Sequence, residues 1–186
     1  WGRMPDLLNH KGESLTAIAS YFFKRLSDPN AWKELKEISE QYCEELKVLQ
    51  KTGLNHHFIE RSSANSLRVK RVMITRPESL QLGSQKFYHY TQRADKNQFI
   101  PLEVVFRFGM PKGSSLSGRL TSAYIKELGF KDCPKEDELF EAPIIEFFSK
   151  LESSDRFLTW EQALHYSSLK LPLFEKLIHQ TICVSY

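Results

Sequence analysis

The chain has 186 residues, 41% hydrophobic and 26% charged, which suits an ordinary water-soluble fold with a sizeable core, as one domain or two small lobes. No run approaches the roughly 18 apolar residues of a membrane span, and the N-terminal stretch lacks a secretory pattern, so the expectation is a cytoplasmic, non-membrane protein. A formal charge of +3 is too mild and too evenly spread to demand nucleic acid, although it suits a modest anionic ligand.

Leu15, Ile18, Ala19, Phe22, Phe23 and Leu26 recur at helical spacing, which predicts a helix over residues 14–26 with one strongly apolar face, stopped by Asp28-Pro29-Asn30. Trp32, Leu35, Ile38, Tyr42, Leu46 and Leu49 predict a second helix, closed by Gly53 in a left-handed cap. The period then changes. Residues 58–59, 67–74, 86–90 and 99–108 read as strands of an antiparallel sheet, the last being clearest because Ile100, Leu102, Val104, Phe106 and Phe108 alternate with their neighbours. Glu103 and Arg107 therefore share a face.

After Met110 the composition shifts to a Pro-Lys-Gly-Ser-Ser turn, and Leu116, Leu120, Tyr124 and Leu128 mark a helix closed by Gly129. A lobe boundary near 108 divides residues 1–108, a helix pair with an antiparallel sheet, from residues 109–186. In the second part a charged linker over 131–138 precedes an apolar strand over 140–148 with Pro143 near its start. Thr159 and Gln162 resemble a capping box opening a helix near Trp160, which should break at Leu171-Pro172, and a last helix starts near Leu173. The fold class is α+β.

The strand carrying Arg107 ends in Gly109-Met110-Pro111-Lys112-Gly113-Ser114-Ser115 with a helix expected just beyond. That would gather backbone N–H groups, hydroxyls, a helix N-terminus and a guanidinium around one point, the means of holding a phosphate. The alternative is an ordinary strand-turn-helix junction whose Arg107 pairs with Glu103. Lys70, inside the strand over 67–74, could reach nucleotide phosphates or could be a solvated edge lysine. The hydroxyl-rich and charged run over 147–156 reads either as a functional loop at a strand end or as a solvated connection. His56-His57 reads as a surface pair without metal-ligand spacing. Cys43, Cys133 and Cys183 lack a CxxC pair and are expected to be reduced. No nucleophile elbow or HExxH motif occurs. Tyr88 and Tyr90 lack the basic stripe that would make the Phe87-Tyr88-His89-Tyr90 run a convincing RNA platform.

Four segments in order resemble the SAICAR synthetase (phosphoribosylaminoimidazole-succinocarboxamide synthase) family: WGRMPD at 1–6 with KGESLT at 11–16, VKRV at 69–72, IPLEVVFR at 100–107 through Gly113-Ser114, and FSKLESSDRFLTWEQA at 148–163. The resemblance covers roughly residues 1–170. It implies a sheet lobe with flanking helices leading into a second α/β lobe across a nucleotide cleft, with 1–108 on the nucleotide side and 109–186 on the substrate side. It also implies an ATP- and Mg2+-dependent ligase of purine biosynthesis that joins carboxyaminoimidazole ribonucleotide to L-aspartate. A homo-oligomer is compatible with this reading, and neither nucleic acid nor membrane is implied as a partner.

By the same resemblance, Arg107 and Ser114 hold the ribonucleotide 5′-phosphate, Gly113 gives close backbone approach, and Ser115 is the alternative hydroxyl because the run carries one extra residue. Lys70 corresponds to the family's lysine near ATP, Ile74 falls near its adenine hinge, and Lys150 and Asp155 match positions facing the substrate. No metal ligand is assigned. The glycine-bearing hairpin over ATP would precede Trp1, and the magnesium carboxylates would follow Tyr186, so both ends are expected to be cut from something longer and this segment alone to be inactive. A non-catalytic ribonucleotide-phosphate-binding or interaction module derived from the family is the alternative.

Overall fold

The computed structural model describes residues 10–35, 42–91 and 97–186. It divides into two compact units, one of residues 1–74, 95–99 and 172–186, the other of residues 75–94 and 100–171. Both are mixed α and β with antiparallel pairing, as the composition and periodicity predict.

In the first unit, α1 (Lys11–Ser27) ends at Asp28, whose carboxylate accepts the Asn30 N–H at 2.9 Å and so caps α2 (Pro29–Trp32). Pro29 sits in the first turn, where a missing N–H costs nothing. The continuous helix expected from Trp32 to Gly53 is instead two helices, α2 and α3 (Cys43–Thr52), with a turn at Lys33 and Glu34 and non-helical Leu35 between them. Ile38 lies outside the described residues. The turn is fixed by the Trp32 indole, which donates to the Leu26 carbonyl at 2.8 Å and sits in a core with Leu46, Leu49 and Cys183. Tertiary anchoring here overrides helical spacing.

Gly53 ends α3 with φ +67° and ψ 176°, a region open almost only to glycine, rather than the ordinary left-handed cap. A Cβ built there would stand 2.1 Å from the Ser27 carbonyl oxygen. Gly53→Ala is therefore expected to destabilise the chain by at least about 1–3 kcal/mol, read as a lower urea midpoint at unchanged m value.

The hairpin β1 (Phe58–Ser63) and β2 (Ser66–Val69) packs on α1 through Phe23, whose ring stacks on Phe58 at 5.3 Å. This contact turns Ser20 and Phe23 inward and leaves Leu15, Ile18 and Phe22 more than half exposed, so the predicted apolar stripe is wider than the face this unit covers. Of the histidine pair expected at the surface, His57 is exposed. His56 is half-buried, with Nε2 2.7 Å from both Ser27 Oγ and the Phe23 carbonyl. The strand predicted over 67–74 stops at Val69, and beyond it Met73 bridges Gln98. Lys70 thus follows the strand rather than lying within it.

In the second unit, β3 (Glu78–Leu82) and β4 (Gln85–His89) form a hairpin of which only the second strand is evident from periodicity. The main sheet has β5 (Leu102–Met110), β6 (Glu138–Ser149) and β7 (Phe157–Leu158) in the order β5-β6-β7, all antiparallel. Pro143, which has no N–H for a ladder, falls where the β5-β6 register shifts. The helix expected from Leu116 to Leu128 is shorter: residues 117–119 form a 3-10 turn, and α4 (Ser122–Glu127) starts after Thr121, whose hydroxyl accepts the Tyr124 N–H. Leu116 and Tyr124 are instead buried with Met110 and Ile144 in the core of this unit.

The Thr159–Gln162 capping box is present and opens α5 (Trp160–Ser167), which stops at Ser168 in the left-handed region. The break expected near Leu171-Pro172 falls just before it, and the last helix starts two residues earlier than expected: α6 (Leu171–Ser185) carries Phe174, Ile178, Ile182 and Cys183 on its buried face. Proline is tolerated in a first turn. Cys133 is an exposed free thiol, Cys183 is buried, and the Cys43 side chain lies outside the described set.

Candidate functional site

The β5-β6 pairing sets the chemistry of the second unit. Residues 103, 105 and 107 point to one face of β5, and Ile144, Glu146 and Phe148, opposite them in register, point to the same face from β6. Glu146 is completely buried. A carboxylate there must be paired, and it is. Arg107 Nε donates to Glu146 Oε2 at 2.5 Å, Arg119 Nη2 donates to both carboxylate oxygens at 2.7 and 2.9 Å, and the Tyr124 hydroxyl donates to Oε1 at 3.1 Å. Burial alone would raise the Glu146 pKa, but the hydrogen bonds and charges of Arg107 and Arg119 outweigh it and hold the group below the usual glutamate range. Burial, with the adjacent Glu146 charge, pushes the Tyr124 phenol well above its ordinary value.

Both guanidiniums also reach Ser115. Arg107 Nη2 donates to Ser115 Oγ at 3.2 Å, and Arg119 Nη1 donates to the Ser115 carbonyl at 2.8 Å. The turn before it is closed by the Ser114 N–H donating to Pro111 O at 2.9 Å, with Gly113 at φ +76°, a value that favours glycine. Ser114 Oγ accepts the Leu116 N–H at 3.3 Å, so its hydroxyl serves the turn. The helix N-terminus expected beside this turn is not there, because α4 starts at Ser122. The structure therefore brings Arg107 and Ser115 together, with Gly113 and Ser114 shaping the turn. The expected alternative pairing of Arg107 with Glu103 does not occur.

Glu103 pairs with Lys150 instead. Lys150 Nζ lies 2.8 Å from Glu103 and 2.6 Å from Asp155, and these two bonds, Asp155 first, raise its pKa and keep it cationic. The loop that carries Lys150 and Asp155 is held at its neck by buried Ser149, whose N–H donates to Arg156 O at 2.9 Å and whose hydroxyl accepts the Arg156 N–H at 3.1 Å. Inside it Leu151 has φ +74°, a strained value for leucine. The Tyr90 hydroxyl lies 2.8 Å from Lys150 O and 2.9 Å from Glu152 Oε1, and Arg156 ties Glu152 to the Tyr166 hydroxyl. Tyr88 OH meets Ser153 from the β3-β4 hairpin at 2.6 Å. These tyrosines are braces of the loop.

Lys70 and Ile74 belong to the first unit. Lys70 is exposed and donates to Asn55 Oδ1 at 3.1 Å, while Ile74 is exposed and outside any strand. Among the described residues no group of three or more His, Cys, Asp or Glu gathers as a metal site, and no helix is long and apolar enough to cross a membrane.

Sequence reasoning misses Glu146 and Arg119. For Glu146 a signal exists, since a carboxylate in the middle of the apolar run over 140–148 has to be buried with a partner. Arg119 offers none, because its role depends on the 3-10 turn that replaces the expected helix.

The family model of SAICAR synthetase matches residues 2–184. The chain belongs to the SAICAR synthetase family. It is 31% identical over 179 residues to a protein of Archaeoglobus fulgidus provisionally named phosphoribosylaminoimidazole-succinocarboxamide synthase, covering 95% of this chain and 49% of that one. It is 26% identical over 170 residues to the phosphoribosylaminoimidazole-succinocarboxamide synthase of Thermoplasma volcanium, covering 90% and 45%. The crystal structure of the synthase from Ehrlichia chaffeensis aligns with a TM-score of 0.49 at 19% identity, covering 97% of this chain and 50% of that one. The chain thus spans about half the length of the SAICAR synthetase relatives it matches.

Proposed function

We propose that this chain contributes the ribonucleotide side of an ATP-dependent ligase that joins carboxyaminoimidazole ribonucleotide to L-aspartate. The observation that carries this reading is the Arg107–Ser115 pair on buried Glu146, a fixed cationic corner with an exposed hydroxyl, the chemistry a 5′-phosphate needs. Gly113 and Ser114 form its turn.

Lys150 and Asp155 stand four residues along β5 from Arg107, where Glu103 holds the lysine, a separation of about 14 Å by strand rise. Lys150 neutralises charge on the imidazole carboxylate, and Asp155 aims the lysine. ATP transfers its γ-phosphoryl to a carboxylate oxygen, releasing ADP. The aspartate amine then bonds the acyl carbon as the C–O bond to phosphate breaks, and the amine loses a proton. The protein supplies positioning and charge rather than a nucleophile. Exposed Lys70 and Ile74 are offered to the ATP phosphates and adenine. The described residues form no carboxylate set that fits Mg2+, so none of them is assigned to it. A cytoplasmic setting and a homo-oligomer belong to the same proposal.

A second reading, a ribonucleotide-binding module without turnover, is favoured by the phosphate corner lying wholly within one unit. Thermal unfolding with each ligand separates the readings. At about 100 times its dissociation constant, carboxyaminoimidazole ribonucleotide is expected to stabilise the chain by about 2.7 kcal/mol. A matching shift with Mg-ATP supports the ligase, a shift with the ribonucleotide alone supports the module, and no ribonucleotide shift rejects both.

A further inference from the structure

We propose, resting on the ribonucleotide reading above, that Arg119 and Glu146 are positioning residues that hold Ser115, rather than Ser114, against Arg107 as the phosphate-binding pair. Arg119 is directed chiefly inward, with 26% of its side chain exposed. Its Nε and Nη2 go to Glu146, its Nη1 goes to the Ser115 carbonyl, and its guanidinium carbon lies 5.2 Å from the centre of the Phe148 ring. Turning it to a ligand would break all of these. Arg107 spends Nε on Glu146 and Nη2 on Ser115 Oγ, out of five donors.

Glu146 is thus the shared anchor that aligns two cations, and Ser115 is the point on which both converge, by side chain from one and by backbone from the other. Two guanidiniums against one carboxylate leave a net positive charge beside an exposed hydroxyl, which suits an anion. The Ser114 hydroxyl instead accepts the Leu116 N–H at 3.3 Å, which ties it to the turn, whereas the Ser115 hydroxyl is the one that meets Arg107. A lysine at 119 would keep the charge but could not span Glu146 and Ser115 O together.

The test is calorimetric titration of the chain with carboxyaminoimidazole ribonucleotide and with its dephosphorylated nucleoside, for wild type, Arg119→Lys, Ser115→Ala and the double variant. Arg119→Lys is expected to weaken the ribonucleotide about tenfold and spare the nucleoside, and to add less than about twofold once Ser115 is alanine, because it acts through that residue. An equal loss in both backgrounds overturns the inference, since Arg119 would then contact the phosphate itself. Unchanged binding in Arg119→Lys, while Arg107→Ala still loses the ribonucleotide, overturns it and leaves the functional reading standing. No ribonucleotide binding by the wild type overturns both. Ser115 is exposed and tolerates alanine, so if Arg119→Lys fails to fold the result rests on Ser115→Ala: a loss larger than that of Ser114→Ala supports the inference, and unchanged binding rejects it.

Discussion

Arg107→Ala is expected to weaken carboxyaminoimidazole ribonucleotide by about 10–100-fold and to leave Mg-ATP within about twofold, because a charge-assisted contact is worth about 1.5–3 kcal/mol and only one substrate makes this one. The geometry explains why the loss falls on binding rather than folding. Glu146 keeps Arg119 and Tyr124 when Arg107 is removed, so the buried carboxylate remains paired, while Ser115 loses its side-chain donor. Arg107→Lys should recover part of the affinity, since it restores the charge but not the fork that reaches Glu146 and Ser115 together. Titration of each ligand against both variants checks this, and equal losses for the two ligands would remove Arg107 from the phosphate role.

Glu146→Ala is expected to be the most destabilising substitution in the second unit, by about 3–5 kcal/mol, because it leaves two guanidiniums and a phenol facing a dry hole. Its pH dependence has a definite sign. The folded pKa lies below the ordinary value of 4.5, so the folded state holds the proton less tightly than the unfolded chain does. The stabilisation is therefore fully present above pH 4.5 and disappears as the pH falls through the lower, folded value. Urea unfolding of wild type and Glu146→Gln between pH 7 and about pH 3 should show the wild type losing its advantage across that acidic window. Curves that stay parallel down to the lowest pH would show that the carboxylate charge contributes nothing to stability.

The periodic elements were readable in advance where local chemistry decides them. The α1 spacing, the Thr159–Gln162 capping box and the alternation along β5 each specify their structure from neighbouring residues, and each is present with shifts of a few positions at the ends. Failures came where a distant group intervened. The helix from Trp32 was cut by an indole bond to Leu26, and the one from Leu116 gave way because Leu116 and Tyr124 are needed in the core with Met110 and Ile144. Hairpin strand β3 is almost wholly exposed and so carries no burial pattern to read.

The sequence by itself determined the family, the α+β class and the choice of Arg107 with a neighbouring serine as an anion-binding candidate, because motif identity and strand alternation are local properties. Only the tertiary structure decided that Arg107 pairs with Glu146 and not Glu103, that Lys150 takes Glu103, and that Ser115 rather than Ser114 meets the guanidinium. Those outcomes depend on the β5-β6 register, which sets residues about 40 positions apart side by side on one face. Pairing across that distance is decided by burial: an enclosed carboxylate takes the cations whose strand and turn bring them within reach, whatever lies nearer along the chain.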